Sequence, residues 1–254
     1  MSNPSSAIAE QLQCYARQYE TPAFIVGDPS WFMHQVEGAD NQEATAFVAS
    51  CLSYGSRKQF LPKIQFILDC ADGDVCAFLR SHKFEEVFRA DDHRSFYRLY
   101  SYAAMHAFLA SYARLLEAEG SLGGYVRRCA SDGYGAVVCI TDYFRREGSG
   151  GIIPQDATSA CKRLCMFLRW MVRSGSPVDL GLWSSFIDRR TLLMPLDTHV
   201  LQEAQRLGLV ESRTASMSAC RRLTARLSEI FPADPLLGDF ALFGYGVDSE
   251  KSSV

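Results

Sequence analysis

The sequence lacks any apolar run long enough to cross a lipid bilayer, which requires about 20 consecutive apolar residues. The segment from Met1 to Tyr19 also contains no apolar core of the kind found in secretory signal peptides. These two absences predict a protein of the cytoplasm that has no membrane partner.

A strong excess of charge of either sign is missing as well. The 26 lysines and arginines are nearly balanced by 29 aspartates and glutamates, which leaves a formal net charge of -3. A globally basic surface, which is common in proteins that bind nucleic acids, is therefore excluded. Any role with DNA or RNA must depend on local clusters of cations.

The cysteines never form a C-x-x-C pair, although the chain has nine of them. An odd number without a secretory signal indicates reduced thiols rather than a disulfide framework. Cys161 and Cys165 share one helix face, but no third or fourth ligand follows nearby, so two small core residues are favoured over a metal site. Four histidines show no metal-ligand spacing and are interpreted as structural or surface residues, namely His34, His82, His93 and His106. We expect no cofactor and no metal.

Alternating strand patterns and fixed-period repeats are nearly absent, whereas helical periodicity dominates. One run matches the i, i+3, i+4, i+7, i+8 pattern of an amphipathic helix in full, with Leu164, Phe167, Leu168, Met171 and Val172. The sequence therefore predicts an all-α fold. The predicted helices occupy Ile8–Tyr19, Asn41–Leu52, Arg57–Cys70, Ser101–Glu119, Gly135–Glu147, Asp156–Arg173, Val178–Phe186, a segment from Asp197 to Gly208, Ser216–Ile230 and a last helix from Asp234.

Gly148-Ser149-Gly150-Gly151 is the clearest linker-like stretch. It divides the chain into two helical lobes, residues 1–147 and 152–247, followed by a tail at residues 248–254. A loop within one domain fits the same composition equally well. We expect a monomer of two lobes with a cleft between them.

A basic segment surrounds Lys162 on the best-defined helix. Arg163, Arg169 and Arg173 accompany it, and no acidic residue falls between Asp156 and Asp179. Such a cluster can meet phosphates, or it can be an ordinary solvated flank. Near a helix start, the helix dipole and a neighbouring arginine disfavour an ammonium, and the neutral amine is the form that attacks an electrophilic carbon.

Asp197 precedes the next predicted helix and is suited to cap it. Backbone N–H groups at a helix start keep such a carboxylate ionised. An ionised carboxylate beside a sugar stabilises positive charge that develops on the ring. A purely structural cap explains the same position, so the two interpretations stay open at this point.

The run Pro195-Leu196-Asp197-Thr198-His199-Val200, followed by Arg206-Leu207-Gly208-Leu209, resembles the catalytic-aspartate motif of the helix-hairpin-helix (HhH-GPD) DNA glycosylases. In that superfamily a G-x-G-x-K pattern carries the catalytic lysine, and Thr158-Ser159-Ala160-Cys161-Lys162 falls in its register. The resemblance implies that Lys162 is the nucleophile, that Asp197 is its partner and that His199 faces a DNA phosphate. Both hairpin glycines are replaced here, by Thr158 and Ala160.

The chain as a whole, from about Asp28 to Val247, resembles a bacterial family of unknown function that is related to those enzymes. The residues that carry this likeness are Leu52 to Lys58, Cys161 to Arg173, Pro195 to His199 and Asp239 to Gly244. The 35-residue spacing from Lys162 to Asp197 is nearest to that of the archaeal-type 8-oxoguanine DNA glycosylases. It requires Ser174–Thr191 to loop out. The cluster-binding cysteines of endonuclease three are absent, so no iron–sulfur cluster is expected.

The resemblance implies a base-excision DNA glycosylase that acts on damaged double-stranded DNA, with an oxidised purine such as 8-oxoguanine as substrate. Schiff-base formation at Lys162 would add lyase activity at abasic sites. Tyr54, Met166 and Phe240 are candidates for a base pocket, and Arg57 and Lys58 are candidates for DNA contacts.

Two other functions remain compatible with the sequence. One is a helical nucleic-acid-binding protein that retains the fold without the chemistry, which the replaced hairpin glycines favour. The other is a helical scaffold that binds proteins, which suits the acidic net charge. For Met166 and Phe240, ordinary core packing is favoured over a role in a base pocket, because methionine and phenylalanine at helical spacing are usually packing residues.

Overall fold

The computed structural model describes the backbone of residues 6–251 and the side chains of residues 6–247. Within this part of the chain, twelve α-helices and one two-stranded hairpin account for the regular structure, apart from a few short 3₁₀ turns. The predicted all-α class is therefore confirmed. No helix in the described residues combines the length and the apolar character that a membrane span requires.

The described chain forms two compact units. The terminal unit consists of the described residues before Gly27, Asp132–Tyr134 and the residues from Ala157 onward. The central unit consists of Gly27–Ser131 and Gly135–Asp156. This division differs from the predicted lobes 1–147 and 152–247, because the first helix packs with the last helix of the chain. The predicted tail at residues 248–254 overlaps the end of that last helix and otherwise lies outside the described residues.

The central unit is built around one buried helix. Its α-helices are α2 (Ala39–Leu52), α3 (Arg57–Cys70), α4 (Val75–Arg80), α5 (Phe84–Val87), α6 (Tyr102–Glu119), α7 (Leu122–Cys129) and α8 (Gly133–Glu147), whose first two residues belong to the terminal unit. α2 is buried from Asn41 to Leu52 except for Gln42, which is why its sequence shows little amphipathic pattern.

Aromatic packing holds α2 to its neighbours in the central unit. The ring of Phe47 lies 4.9 Å from that of Tyr112 and 5.4 Å from that of Phe144, centroid to centroid. The buried carboxylate of Glu43 also accepts hydrogen bonds from the backbone N–H groups of Leu122 and Gly123, at 2.7 and 3.1 Å. These two donors at the start of α7 would otherwise be unsatisfied. The short helix α7 was not predicted, although Ser121 caps its start by accepting a hydrogen bond from the N–H of Gly124 at 2.9 Å.

A β-hairpin in the central unit joins β1 (Ser95–Tyr97) to β2 (Tyr100–Ser101) through a two-residue turn. Arg98, the first turn residue, has a φ of +51°, which is the left-handed region. A positive φ at the first turn residue of a two-residue hairpin is normally occupied by glycine, because a side chain there costs about 1–2 kcal/mol. The hairpin was not predicted, since its strands are too short to show alternation.

The terminal unit contains five α-helices in its described part. They are α1 (Ser6–Tyr19), α9 (Lys162–Val172), α10 (Thr198–Arg206), α11 (Met217–Ile230) and α12 (Leu237–Lys251). α1 packs against α12, where the ring of Tyr19 lies 5.5 Å from that of Phe243. A Cβ atom at Gly244 would lie 2.4 Å from the ring of Tyr19, so the two helices approach as closely as they do only because residue 244 is glycine.

One predicted helix is shorter than expected, and another does not form. The predicted helix Asp156–Arg173 begins only at Lys162, because Cys161 adopts a left-handed backbone that no α-helix can include. The predicted helix Val178–Phe186 is a series of turns. Its start is fixed by the carbonyl of Trp170, which accepts hydrogen bonds from the N–H groups of Leu180 and Gly181.

Candidate functional site

Lys162 is the first residue of α9, and the backbone before it is held in place. Cys161 has φ and ψ of 46° and 38°, so the chain turns sharply directly before the lysine. Upstream, Ser159 forms a bridge with Ser216, and the carbonyl of Thr158 accepts a hydrogen bond from Met217 N–H at 3.1 Å. The start of α11 therefore fixes the segment that presents Lys162.

Asp197 caps α10, as the sequence predicted. Its Oδ1 accepts a hydrogen bond from the backbone N–H of Val200 at 2.8 Å, which fixes the carboxylate at the helix start. Its Oδ2 accepts a hydrogen bond from Lys162 Nζ at 2.6 Å. The predicted meeting of these two side chains, 35 residues apart, is therefore confirmed. One carboxylate serves both as a helix cap and as the partner of the amine.

The charge of Asp197 is stabilised by what surrounds it. Burial on its own raises the pKa of this carboxyl group. The charge and hydrogen bond of Lys162, the N–H of Val200 and the nearby His199 outweigh burial and hold the pKa of Asp197 below its usual value. Asp197 is therefore ionised across the physiological range, which is the state that stabilising a cationic sugar requires.

The pair is neither buried nor fully solvated. The exposed fraction of the side chain is 39% for Lys162 and 35% for Asp197. A reagent from solution can therefore reach the amine, while the carboxylate is fixed by its cap. This arrangement places a potential nucleophile and an anion within one hydrogen bond of each other.

Three further predicted residues lie on the same two helices. Arg163 follows Lys162 on α9 and is partly exposed, as is Met166, one helical turn after Lys162. His199 is exposed on α10, and its Nε2 would lie 3.2 Å from a Cβ atom at Gly246, so its ring lies against α12. Their proposed roles, with Arg163 and His199 at phosphates and Met166 in a base pocket, stay predictions.

Arg169 and Arg173 do not form a phosphate-binding face, and this prediction was wrong. Their side chains are only 3% and 2% exposed. Arg169 forms ion pairs with Asp179 at 3.2 Å and with Asp239. The last two turns of α9 are buried on all sides, so a cation at either position has to be neutralised inside the unit.

The buried ion-pair network, defined by Arg169, Arg173 and their carboxylate partners, anchors the end of α9. Arg173 forms ion pairs with Asp179, with Asp234 at 2.9 Å and with Glu20 at 2.7 Å. Burial opposes the charge of Arg173, but these carboxylates outweigh it and raise the pKa of the guanidinium. The network links α9 to four acidic residues of the terminal unit, namely Glu20, Asp179, Asp234 and Asp239.

Phe240 does not line an open pocket, so this prediction was also wrong. Its side chain is fully buried, and its ring lies 4.9 Å from that of Phe24. The guanidinium of Arg169 lies 4.7 Å from the centre of the same ring. Phe240 thus packs against the buried network, which is what an aromatic residue at helical spacing most often does.

Tyr54, Arg57 and Lys58 belong to the central unit. All three are exposed, and Arg57 forms an ion pair with Asp28 at 3.4 Å. The guanidinium of Arg98 lies 4.7 Å from the centre of the Tyr54 ring. Their proposed roles, with Tyr54 in a base pocket and Arg57 and Lys58 at DNA, stay predictions. Arg98 is a neighbour that the sequence did not identify, because the hairpin that carries it was missed.

The nine cysteines are free thiols, and Cys161, Cys165 and Cys220 are buried in the terminal unit. Cys220 Sγ donates a hydrogen bond to the carbonyl of Met194 at 3.1 Å. Within the described residues, no group of three or more histidine, cysteine, aspartate or glutamate side chains is arranged to hold a metal ion.

Comparison with known families identifies the chain's relatives at the level of a family model. Residues 28–248 match the model of a protein family described as "Protein of unknown function (DUF2400)". No curated protein matches the chain, and no solved structure matches it.

Proposed function

This chain belongs to the DUF2400 family of proteins of unknown function, and we propose that it is a base-excision DNA glycosylase in which Lys162 is the nucleophile. The observation that carries the proposal is the 2.6 Å contact between Lys162 Nζ and the capped carboxylate of Asp197. The sequence resemblance assigns these two residues to one reaction independently of their positions. We extend the proposal to the architecture, which would be that of a helix-hairpin-helix glycosylase.

The proposed reaction begins with a damaged nucleotide that leaves the base stack, at a cost of a few kcal/mol. The amine of Lys162, after losing a proton, forms a bond to the sugar carbon C1′ while the bond from C1′ to the base breaks. The departing base takes the bonding electron pair and is then protonated. Asp197, fixed by Val200 N–H, stabilises the positive charge that develops on the sugar.

Ring opening of this product gives a Schiff base between Lys162 and C1′. Loss of a proton from the neighbouring carbon then expels the 3′ phosphate and nicks the strand, and hydrolysis releases the lysine. An oxidised purine such as 8-oxoguanine is the proposed substrate, and this choice rests on the resemblance in spacing alone. Double-stranded DNA is the proposed partner.

A second function, nucleic-acid binding without catalysis, is favoured by a specific observation. Thr158 and Ala160 stand where the hairpin glycines of the glycosylases stand, and Ser159 between them is bridged to Ser216. A segment with side chains at these positions grips a phosphate less closely than one with glycines. Retention of Lys162 and Asp197 in contact supports the catalytic function instead.

Replacing Asp197 by asparagine separates the two functions. Asparagine caps helices as well as aspartate does, so the fold should be kept while the negative charge is lost. We expect excision of 8-oxoguanine to fall by roughly 100-fold or more, as for loss of an electrostatic stabiliser. The measurement is single-turnover release of the base from a duplex with one lesion.

The control measures the Asp197→Asn variant on a duplex that already contains an abasic site. No base has to leave there, so borohydride trapping through Lys162 should fall much less than base release. Equal base release by wild type and Asp197→Asn would remove Asp197 from the chemistry. Absence of both activities in a folded wild-type protein that binds DNA would establish the non-catalytic function.

A further inference from the structure

The tip of the hairpin in the central unit presents an apolar side chain to solvent. Leu99, the second turn residue between β1 and β2, is 81% exposed, which is more than any other large hydrophobic residue in the described chain. Arg98 beside it adopts a positive φ that glycine would adopt without strain. Neither Arg98 nor Leu99 is therefore a residue that a two-residue hairpin turn favours.

The base of the hairpin is packed firmly, although its tip is exposed. Phe96, Tyr97 and Tyr100 are buried, and the ring of Phe96 lies 5.2 Å from that of Phe88. The hydroxyl of Tyr97 donates a hydrogen bond to the carbonyl of Tyr54. Leu99 is thus held outward on a fixed support rather than at the end of a long loop.

Two cations and an exposed aromatic ring lie along the hairpin. The guanidinium of Arg98 lies over the ring of Tyr54, and Gly55 leaves room for it, since a Cβ atom there would lie 2.3 Å from Arg98 Nη1. Lys63 Nζ lies 4.8 Å from the centre of the Phe96 ring. An apolar point among cations is the arrangement by which proteins insert a wedge between base pairs while contacting phosphates.

We propose that this hairpin tip is a DNA-binding element, in which Leu99 enters a base step of duplex DNA and Arg98 contacts the adjacent phosphates. The inference deepens the proposed function, and it rests on that function for the choice of DNA as partner. A wedge of this kind lowers the cost of moving a nucleotide out of the stack. A protein surface is the competing partner, since single exposed leucines are common on proteins, and the positive charge of Arg98 beside Leu99 favours a polyanion instead.

The first test replaces Leu99 by alanine and uses a 25-base-pair duplex that carries 2-aminopurine, whose fluorescence rises when it unstacks. We expect Leu99→Ala to weaken duplex binding by about fivefold to tenfold, from the apolar surface that is lost. The fluorescence rise seen with wild type should also be lost. Val26→Ala is the matched control, because Val26 is another highly exposed apolar side chain, 73% exposed, and should change neither signal.

The second test replaces Arg98 by glycine, which fits the positive φ and removes the cation. The variant should melt within a few degrees of wild type, yet the slope of log affinity against log salt should fall by roughly 1. A melting temperature that is kept while the salt slope falls would assign Arg98 to phosphate contact rather than to folding. An unchanged salt slope in Arg98→Gly would overturn that assignment.

The outcomes separate this inference from the proposed function. If wild type traps on abasic duplexes while Leu99→Ala matches Val26→Ala in binding and fluorescence, the wedge is wrong and the glycosylase proposal stands. If wild type binds and unstacks duplex DNA through Leu99 but never traps, the wedge stands and the catalysis fails. If Leu99→Ala instead changes only self-association in sedimentation, the tip is a contact between copies of the chain, and the DNA assignment is overturned.

Discussion

Lys162→Gln is expected to abolish covalent trapping by borohydride on duplexes that carry 8-oxoguanine or an abasic site. Glutamine keeps a hydrogen-bond donor near Asp197 but has no amine that can form a bond to C1′. We expect the trapped fraction to fall by at least about 100-fold, as when a covalent nucleophile is removed. The measurement is the yield of a slowly migrating protein–DNA species after reduction.

The matched control is Lys83→Gln, the same substitution at an exposed lysine of the central unit. It should trap as wild type does. The pair formed by Lys162 and Asp197 is partly exposed, so its loss should cost no more than about 1 kcal/mol of stability. The melting curve of Lys162→Gln should therefore stay close to that of wild type. Undiminished trapping by Lys162→Gln would exclude Lys162 as the nucleophile.

Arg173→Met is expected to destabilise the terminal unit by about 3–5 kcal/mol, because it leaves buried carboxylates without their cation. Asp179 has no exposed side-chain surface, and Asp234 has only 8%. Arg173→Lys keeps the charge but cannot donate to three carboxylates with a planar guanidinium, so we expect an intermediate loss. Urea unfolding, followed by tryptophan fluorescence, measures the free energy of unfolding of each variant.

Arg190→Met is the control for the buried network. Arg190 forms an ion pair with Asp188 in the same unit, but 66% of its side chain is exposed, so the change in stability should be below about 1 kcal/mol. Equal, small effects of Arg173→Met and Arg190→Met would contradict the structural role assigned to the network. They would also reopen the phosphate-binding interpretation of Arg173.

Local signals in the sequence defined several elements of the fold well. The apolar stripe of Arg57–Cys70 coincides with α3 at both ends, and Asp197 caps α10 as expected. These predictions depend on neighbours along the chain, because periodicity and capping act within one or two helical turns.

Interactions between residues that lie far apart along the chain could not be predicted from such local patterns. Arg169 and Arg173 have the spacing of a basic helix face, and their carboxylate partners lie 6 to 153 residues away along the chain. Nothing near them in the sequence distinguishes a buried ion-pair network from a solvated flank. The contact of Lys162 with Asp197 spans 35 residues, and only the resemblance to a known motif suggested it.

Local sequence patterns also did not predict two non-glycine residues that have a positive φ, Cys161 and Arg98. The backbone of Cys161 is left-handed, although glycine or asparagine is the usual residue there, so the late start of α9 could not be predicted. The turn at Arg98 is unusual for the same reason. Both positions flank residues to which we assign a function, which is where local preferences are most often overridden.

The most direct test of the proposal is to find which residue becomes attached to DNA. Wild-type protein trapped on an abasic duplex is digested with trypsin, and the modified peptide is identified by mass spectrometry. The chain has five lysines, and unmodified Lys162 ends the tryptic peptide that begins at Glu147. We predict that the sugar adduct lies on Lys162, so that cleavage there is lost and the peptide extends to Arg163. An adduct on a different lysine, or no adduct on a protein that binds the duplex, would contradict the proposal.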